Sequence, residues 1–193
     1  NQLQPDLVLL TGDLLMPFSE DEHGYLLDAL AKLEAPTFAC LGNHDLPVQE
    51  RLVDELAGVG VQLLVDQAHL LHVDGVAVEI VGVGFHWRKA RDHLQRALAA
   101  LPPSPDASVR LLMAHDPRLF RWVEPGRFHM VLSGHTHGGQ VGTDMFGVPW
   151  SVDPRIAEMQ LILATVVWDQ IPHVCNSIEA FGMAEGGLYR APG

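Results

Sequence analysis

Short apolar runs that stop abruptly at polar residues set the rhythm of this chain. Asp6-Leu7-Val8-Leu9-Leu10 ends in Thr11-Gly12-Asp13, and Thr37-Phe38-Ala39-Cys40-Leu41 ends in Gly42-Asn43-His44-Asp45. Val109-Arg110-Leu111-Leu112-Met113-Ala114 ends in His115-Asp116, and His129-Met130-Val131-Leu132 ends in Ser133-Gly134-His135-Thr136-His137. Runs this short and this apolar, bounded by turn residues, predict strands buried on both faces. Between them lie helical stripes, one at Leu26, Leu27, Leu30 and Leu33, another at Leu94, Ala97, Leu98 and Leu101. Asp116-Pro117 predicts an N-cap with proline at the first helical position. Residues 61–65, 69–73 and 76–83 are consecutive strand-like runs, expected to form a meander in a second sheet layer. Pro102-Pro103-Ser104-Pro105 reads as a loop, because strand and helix patterns continue on both sides. A single domain over 1–193 is therefore expected. Beyond about Trp150 the pattern weakens, and 153–193 receives no functional assignment.

Composition narrows the class. A chain of 193 residues is long enough for one sizeable core. Its 48% hydrophobic and 19% charged content suits an ordered globular protein. The net charge of -12 weighs against a nucleic-acid partner, which asks for a basic face. It leaves a phosphorylated substrate open, because bound metal reverses the local sign of a pocket. Cys40 and Cys175 supply no disulfide framework, and Cys40 is expected to be a buried thiol. The longest plainly apolar run, 161–168, is far short of the roughly 20 residues of a membrane span. No signal-peptide pattern begins at Asn1.

The polar strand ends carry the chemistry. In open α/β sheets, ligands bind beyond the carboxyl ends of the strands. Asp13, Asn43, His115 and the pair His135 and His137 all fall there, and each is a good metal ligand. Several such groups converging from different strands are what a catalytic metal needs. Carboxylate, amide oxygen and imidazole together suit Mn, Fe, Zn or Co rather than a thiolate-loving metal. Alternate positions place His135 and His137 on one side of an extended segment. His23, His69, His72, His86, His93, His129 and His173 lack such company and are assigned core or surface roles.

Thr11-Gly12-Asp13, Gly42-Asn43-His44-Asp45, Ala114-His115-Asp116-Pro117 and Gly134-His135-Thr136-His137-Gly138-Gly139-Gln140 together resemble the ordered motifs of calcineurin-like metallophosphoesterases. The Gly-Gly-Gln extension and the Trp87-Arg88 neighbourhood are most similar to the bacterial branch of YkuE- and YaeI-type phosphoesterases. The resemblance covers Pro5 to about Trp150 and implies a four-layer α/β/β/α sandwich. It implies two divalent ions (Mn, Fe, Zn or Mg) bridged by Asp13. Asn43, His115 and His135 would complete the second metal's ligands, and His137 would bind the first. His44 would contact the phosphate and assist the leaving oxygen, with Asp45 orienting it; Asn43 and Arg88 would also face substrate. Metals about 3.5–4 Å apart ionise a shared water near neutral pH, and the resulting hydroxide attacks phosphorus in line.

One family motif has no counterpart. An Asp-x-His normally precedes the Gly-Asp and serves the first metal, and no residue upstream of Asp13 replaces it. The expectation is a fragment of a longer product, incomplete at the N-terminus and lacking the family's final strands. Such a chain holds one ion well and hydrolyses phosphodiesters weakly or not at all. The competing reading is a catalytically impaired binding or scaffold module of the same fold. The resemblance further implies a phosphorylated small-molecule or lipid-linked substrate, peripheral membrane association and a bacterial cytoplasmic or membrane-associated location. It fixes no oligomeric state.

Overall fold

The computed structural model describes residues 5–15 and 24–135, with the backbone of two short strands at 144–145 and 148–149. The chain divides into two compact units, 1–135 and 136–193. In the second, the described part is an antiparallel pair, β8 (Asp144–Met145) with β9 (Val148–Pro149).

The first unit holds two sheets. β1 (Val8–Leu10), β2 (Thr37–Ala39) and β3 (Val61–Leu63) are parallel, in the order β1-β2-β3. α1 (Tyr25–Leu30) lies between β1 and β2, and α2 (Gln49–Gly58) between β2 and β3. The second sheet runs β4 (Gln67–Val73), β5 (Val76–Val83), β6 (Val109–Ala114), β7 (Met130–Leu132). β4 is antiparallel to β5, while β5, β6 and β7 are parallel. α3 (Ala90–Ala100) connects β5 to β6.

The expected three-run meander is corrected here. The run at 61–65 joins the first sheet as β3, because α2 returns the chain parallel to β2. Only β4 and β5 form a hairpin, closed by Asp74 (φ 48°) and Gly75 (φ 80°). Two positive-φ residues in a two-residue turn match the right-handed twist of the flanking strands. Asp116 does cap a helical segment, accepting from the Arg118 N–H at 2.9 Å, but Pro117–Trp122 is a 3-10 helix.

Strand alternation divides the core in two. Leu7, Leu9, Phe38 and Cys40 from the first sheet meet Leu71, Val78, Ile80, Leu111 and Met113 from the second. Intervening residues Leu10, Ala39 and Val61 face Leu30, Leu52 and Leu56 of the helices. Both faces of β2 are thus buried, which is why it reads as a continuous apolar run rather than an alternating one. Each fully buried large side chain such as Ile80 or Leu52 contributes about 1.5–3 kcal/mol. The second sheet also buries Glu79 against Arg110, directly opposite in register. The pair is satisfied further by Ser104 N–H to Glu79 at 2.9 Å and by Arg110 to the Arg127 carbonyl at 2.6 Å. Among the described residues no helix is long and apolar enough to cross a membrane.

Candidate metal centre

The ends of β1, β2, β6 and β7 deliver one polar residue each to a common point around His115. Nδ1 of His115 lies 2.6 Å from the Thr11 carbonyl. A carbonyl only accepts, so Nδ1 carries the proton and Nε2 presents a lone pair, as a ligating histidine does when a backbone partner fixes its tautomer. Around Nε2 stand Asp13 Oδ2 at 3.1 Å, Asn43 Oδ1 at 3.2 Å and His135 Nδ1 at 3.2 Å.

A proton on Nε2 satisfies one such neighbour, not three. A cation among them satisfies all four donors. Adjacent ligands held about 2.1 Å from one ion stand roughly 3.0–3.4 Å apart, which these separations match. Asp13 Oδ2 is buried with no hydrogen-bond partner, an uncommon state for a carboxylate oxygen unless an ion completes it. The donor atoms of Asp13, His115 and His135 all lie within 4.8 Å of one another. Burial foremost, with the neighbouring His115, holds the His135 pKa below its usual value, keeping the imidazole neutral and able to ligate. The residues therefore fit a divalent ion.

Local backbone geometry aims these groups. Asp13 (φ 56°) and His135 (φ 70°) both occupy the left-handed region, at a cost of about 1–3 kcal/mol each. Gly42 lies so close to Asp13 that an added Cβ would overlap its N and Oδ1. Asp45, fully buried, holds the two loops together. Its Oδ2 accepts from the N–H groups of Asp13 and Gly42, each at 2.8 Å. Its Oδ1 accepts from Leu14 at 2.8 Å and Leu15 at 3.2 Å. The resemblance had Asp45 orienting His44. Its carboxylate is occupied instead by four backbone donors, and the His44 ring lies next to Asp13, with Nε2 3.9 Å from Oδ2. The His44 backbone N–H donates to Asp13 Oδ1 at 2.9 Å, leaving Oδ2 for the centre. His44 is 29% exposed where His115 is 1%, so it stands at the mouth.

Asp116, next to His115, is buried and chelated by the Arg118 guanidinium at 2.7–3.0 Å. Burial pushes its pKa up, but the bonds to Arg118 outweigh that and hold it below the ordinary carboxylate value.

Of the residues expected from sequence, Asp13, Asn43, His115 and His135 are brought together, with His44 beside them. Arg88 is exposed on the segment after β5. His137 lies outside the described residues, as do His23 and His173. The histidines assigned core or surface roles sit elsewhere: His129 Nδ1 accepts from the Arg110 N–H, and His93 pairs with Asp66 at 3.0 Å. Sequence reasoning gave Phe85 no role and used Trp87 only as a mark of the resemblance, not as a site residue. Phe85 is buried with its ring centroid 5.7 Å from His115 and 5.8 Å from His135, and Trp87 stands 6.3 Å from His135. Their signal was positional, since they follow the end of β5 as the other site residues follow theirs.

This α/β fold gathers carboxylate, amide and imidazole donors at its strand ends, a set whose chemistry fits a divalent ion. Residues 1–139 match the family of calcineurin-like phosphoesterases, and the chain belongs to that family. It is 34% identical over 155 residues to the phosphodiesterase YaeI of Escherichia coli, covering 77% of this chain and 54% of that protein. It is 28% identical over 155 residues to the metallophosphoesterase YkuE of Bacillus subtilis, covering 76% and 52%. The chain thus spans about half the length of these relatives. A 5'-nucleotidase precursor from Thermus thermophilus shares the fold over 70% of this chain and 33% of its own, with TM-score 0.52 and 18% identity.

Proposed function

We propose that this chain carries the hydrolytic centre of a metal-dependent phosphoric ester hydrolase acting on phosphodiester or pyrophosphate bonds. The observation that carries the reading is the orphaned Asp13 Oδ2 set among three further lone-pair donors, Asn43 Oδ1, His115 Nε2 and His135 Nδ1. A divalent ion held there supplies Lewis acidity toward a phosphoryl oxygen and makes water a nucleophile near neutral pH. The protein's own part is mostly positioning. The Thr11 carbonyl fixes the His115 ring, and Asp45 fixes the backbone that carries Asp13. To His44 we assign the donation of a proton to the departing oxygen; its partial exposure and its position 3.9 Å from Asp13 Oδ2 support this. Membership of the family and the phosphodiesterase relative support the same reaction. We also read the two sheets and their helices as the family's four-layer sandwich; the separate cores between the sheets and beneath α1 and α2 support this.

The test uses Mn-loaded protein and a chromogenic phosphodiester. His44→Ala should keep metal uptake while lowering turnover about a hundredfold or more. Turnover that is unchanged in His44→Ala, or that does not depend on Mn, contradicts the reading.

A further inference from the structure

The segment between β5 and α3 is built with two unlike sides. His86 stacks on His93, ring centroids 3.7 Å apart. His93 Nε2 is in turn held by Asp66 Oδ1 at 3.0 Å, and the same oxygen accepts from the Gly84 N–H at 3.0 Å. Asp66 therefore ties the start of the segment, and through His93 the ring of His86, to the turn just before β4. In a locally extended chain, residues two apart share a side, so Phe85 and Trp87 turn the other way. Phe85 is 4% exposed and packs beneath His115 and His135. Trp87 stands edge-on to Phe85 at 4.9 Å and 6.3 Å from His135, yet is 64% exposed.

An indole left so open is a substantial apolar surface, and its ring contacts with Phe85 and His135 are both of the edge type. Tryptophan in this state is characteristic of recognition surfaces, where a flat rigid ring meets a partner at little entropic cost. Here the segment is anchored from behind, and the ring sits at the rim of the lone-pair cluster.

We propose that Trp87 is a specificity-determining residue: the site prefers phosphate esters bearing a flat aromatic ring, stacked on the indole while the phosphate faces Asp13, Asn43, His115 and His135. This rests on the metal-dependent phosphoesterase reading for the seat of the phosphate. Removing an exposed aromatic on which one ring stacks typically changes affinity by roughly five- to hundredfold.

Calorimetric titration of the Mn-loaded chain with phenylphosphonate and with methylphosphonate, neither of which is hydrolysed, tests this. Wild-type protein should bind phenylphosphonate about tenfold or more tightly than methylphosphonate. Trp87→Ala should bring that ratio near one, and Trp87→Phe should restore most of it. A ratio near one in the wild type overturns the proposal. So does a ratio that survives Trp87→Ala, or no binding of either phosphonate. The readout is binding, so a protein that shows the ratio but whose turnover is unchanged by His44→Ala would sink the phosphoesterase reading while leaving Trp87 as a ring platform.

Discussion

The Asp45 carboxylate accepts the backbone N–H of Asp13 at 2.8 Å across 32 residues of sequence, and so the loop after β2 sets the position of the ligand after β1. Three further N–H groups, from Gly42, Leu14 and Leu15, share that carboxylate. None of these bonds touches a ligating atom. Asp45→Ala should strand four backbone donors and destabilise the fold by about 3 kcal/mol or more. Asp45→Asn, which turns donor toward donor, should also be destabilising and should weaken Mn affinity. Denaturant unfolding with and without Mn measures both. A fold and an affinity unchanged in Asp45→Asn would show that the loops hold their places without it.

Metal should stabilise the chain by linkage, because the four donors converge only in the folded state. At a concentration a hundred times Kd, one ion adds about 2.7 kcal/mol. For a chain of 193 residues that is a rise of roughly 5–10 °C in Tm. Asp13→Ala and His115→Ala should abolish the rise. Elemental analysis after dialysis should find about one tightly held ion per chain. Two tightly held ions, or an equal rise in Asp13→Ala, would contradict the arrangement.

His135 occupies a left-handed conformation that glycine adopts freely. His135→Gly should therefore keep or gain up to about 1 kcal/mol of metal-free stability while losing the metal-dependent rise in Tm. His135→Ala should lose the rise too, without the gain. Thermal melts of both variants with and without Mn separate strain from ligation.

Cys40 gives a pH signature independent of the centre. Burial pushes its thiol up to about 12, above the ordinary value near 8.5 of an unfolded chain. The folded state thus disfavours the thiolate. This contribution to stability is complete below about pH 8.5 and is lost as pH rises toward 12, at up to about 1.4 kcal/mol per pH unit. Between about pH 8.5 and 10.5 wild-type stability should fall more steeply than that of Cys40→Ala. Equal slopes would mean the thiol titrates normally. Native protein at about pH 8 should also resist alkylation at Cys40, checked on the Cys40 peptide by mass spectrometry.

Much of this was legible in the residues alone, for physical reasons. β1, β2, β6 and β7 announce themselves because strands covered on both faces must be apolar throughout, and Leu9 with Leu10, or Phe38 with Ala39, serve two different cores. Asp13, Asn43, His115 and His135 were visible because each interrupts such a run at its end. Three things were not legible. The run at 61–65 gave no sign of which sheet it would join, since pairing partners are decided by the path of α2 and not by local pattern. The resemblance implied that Asp45 orients His44, and nothing local revealed its bonds to residues 13–15, which are long-range. Trp87 entered only as a mark of the resemblance, and its place beside His135 comes from the tertiary fold.

The proposed centre holds one divalent ion among Asp13 Oδ2, Asn43 Oδ1, His115 Nε2 and His135 Nδ1. Anomalous diffraction from crystals grown with Mn tests it most directly. A manganese peak should lie about 2.0–2.3 Å from all four atoms. A peak elsewhere, or none at this centre in crystals of protein that binds Mn in solution, would contradict it.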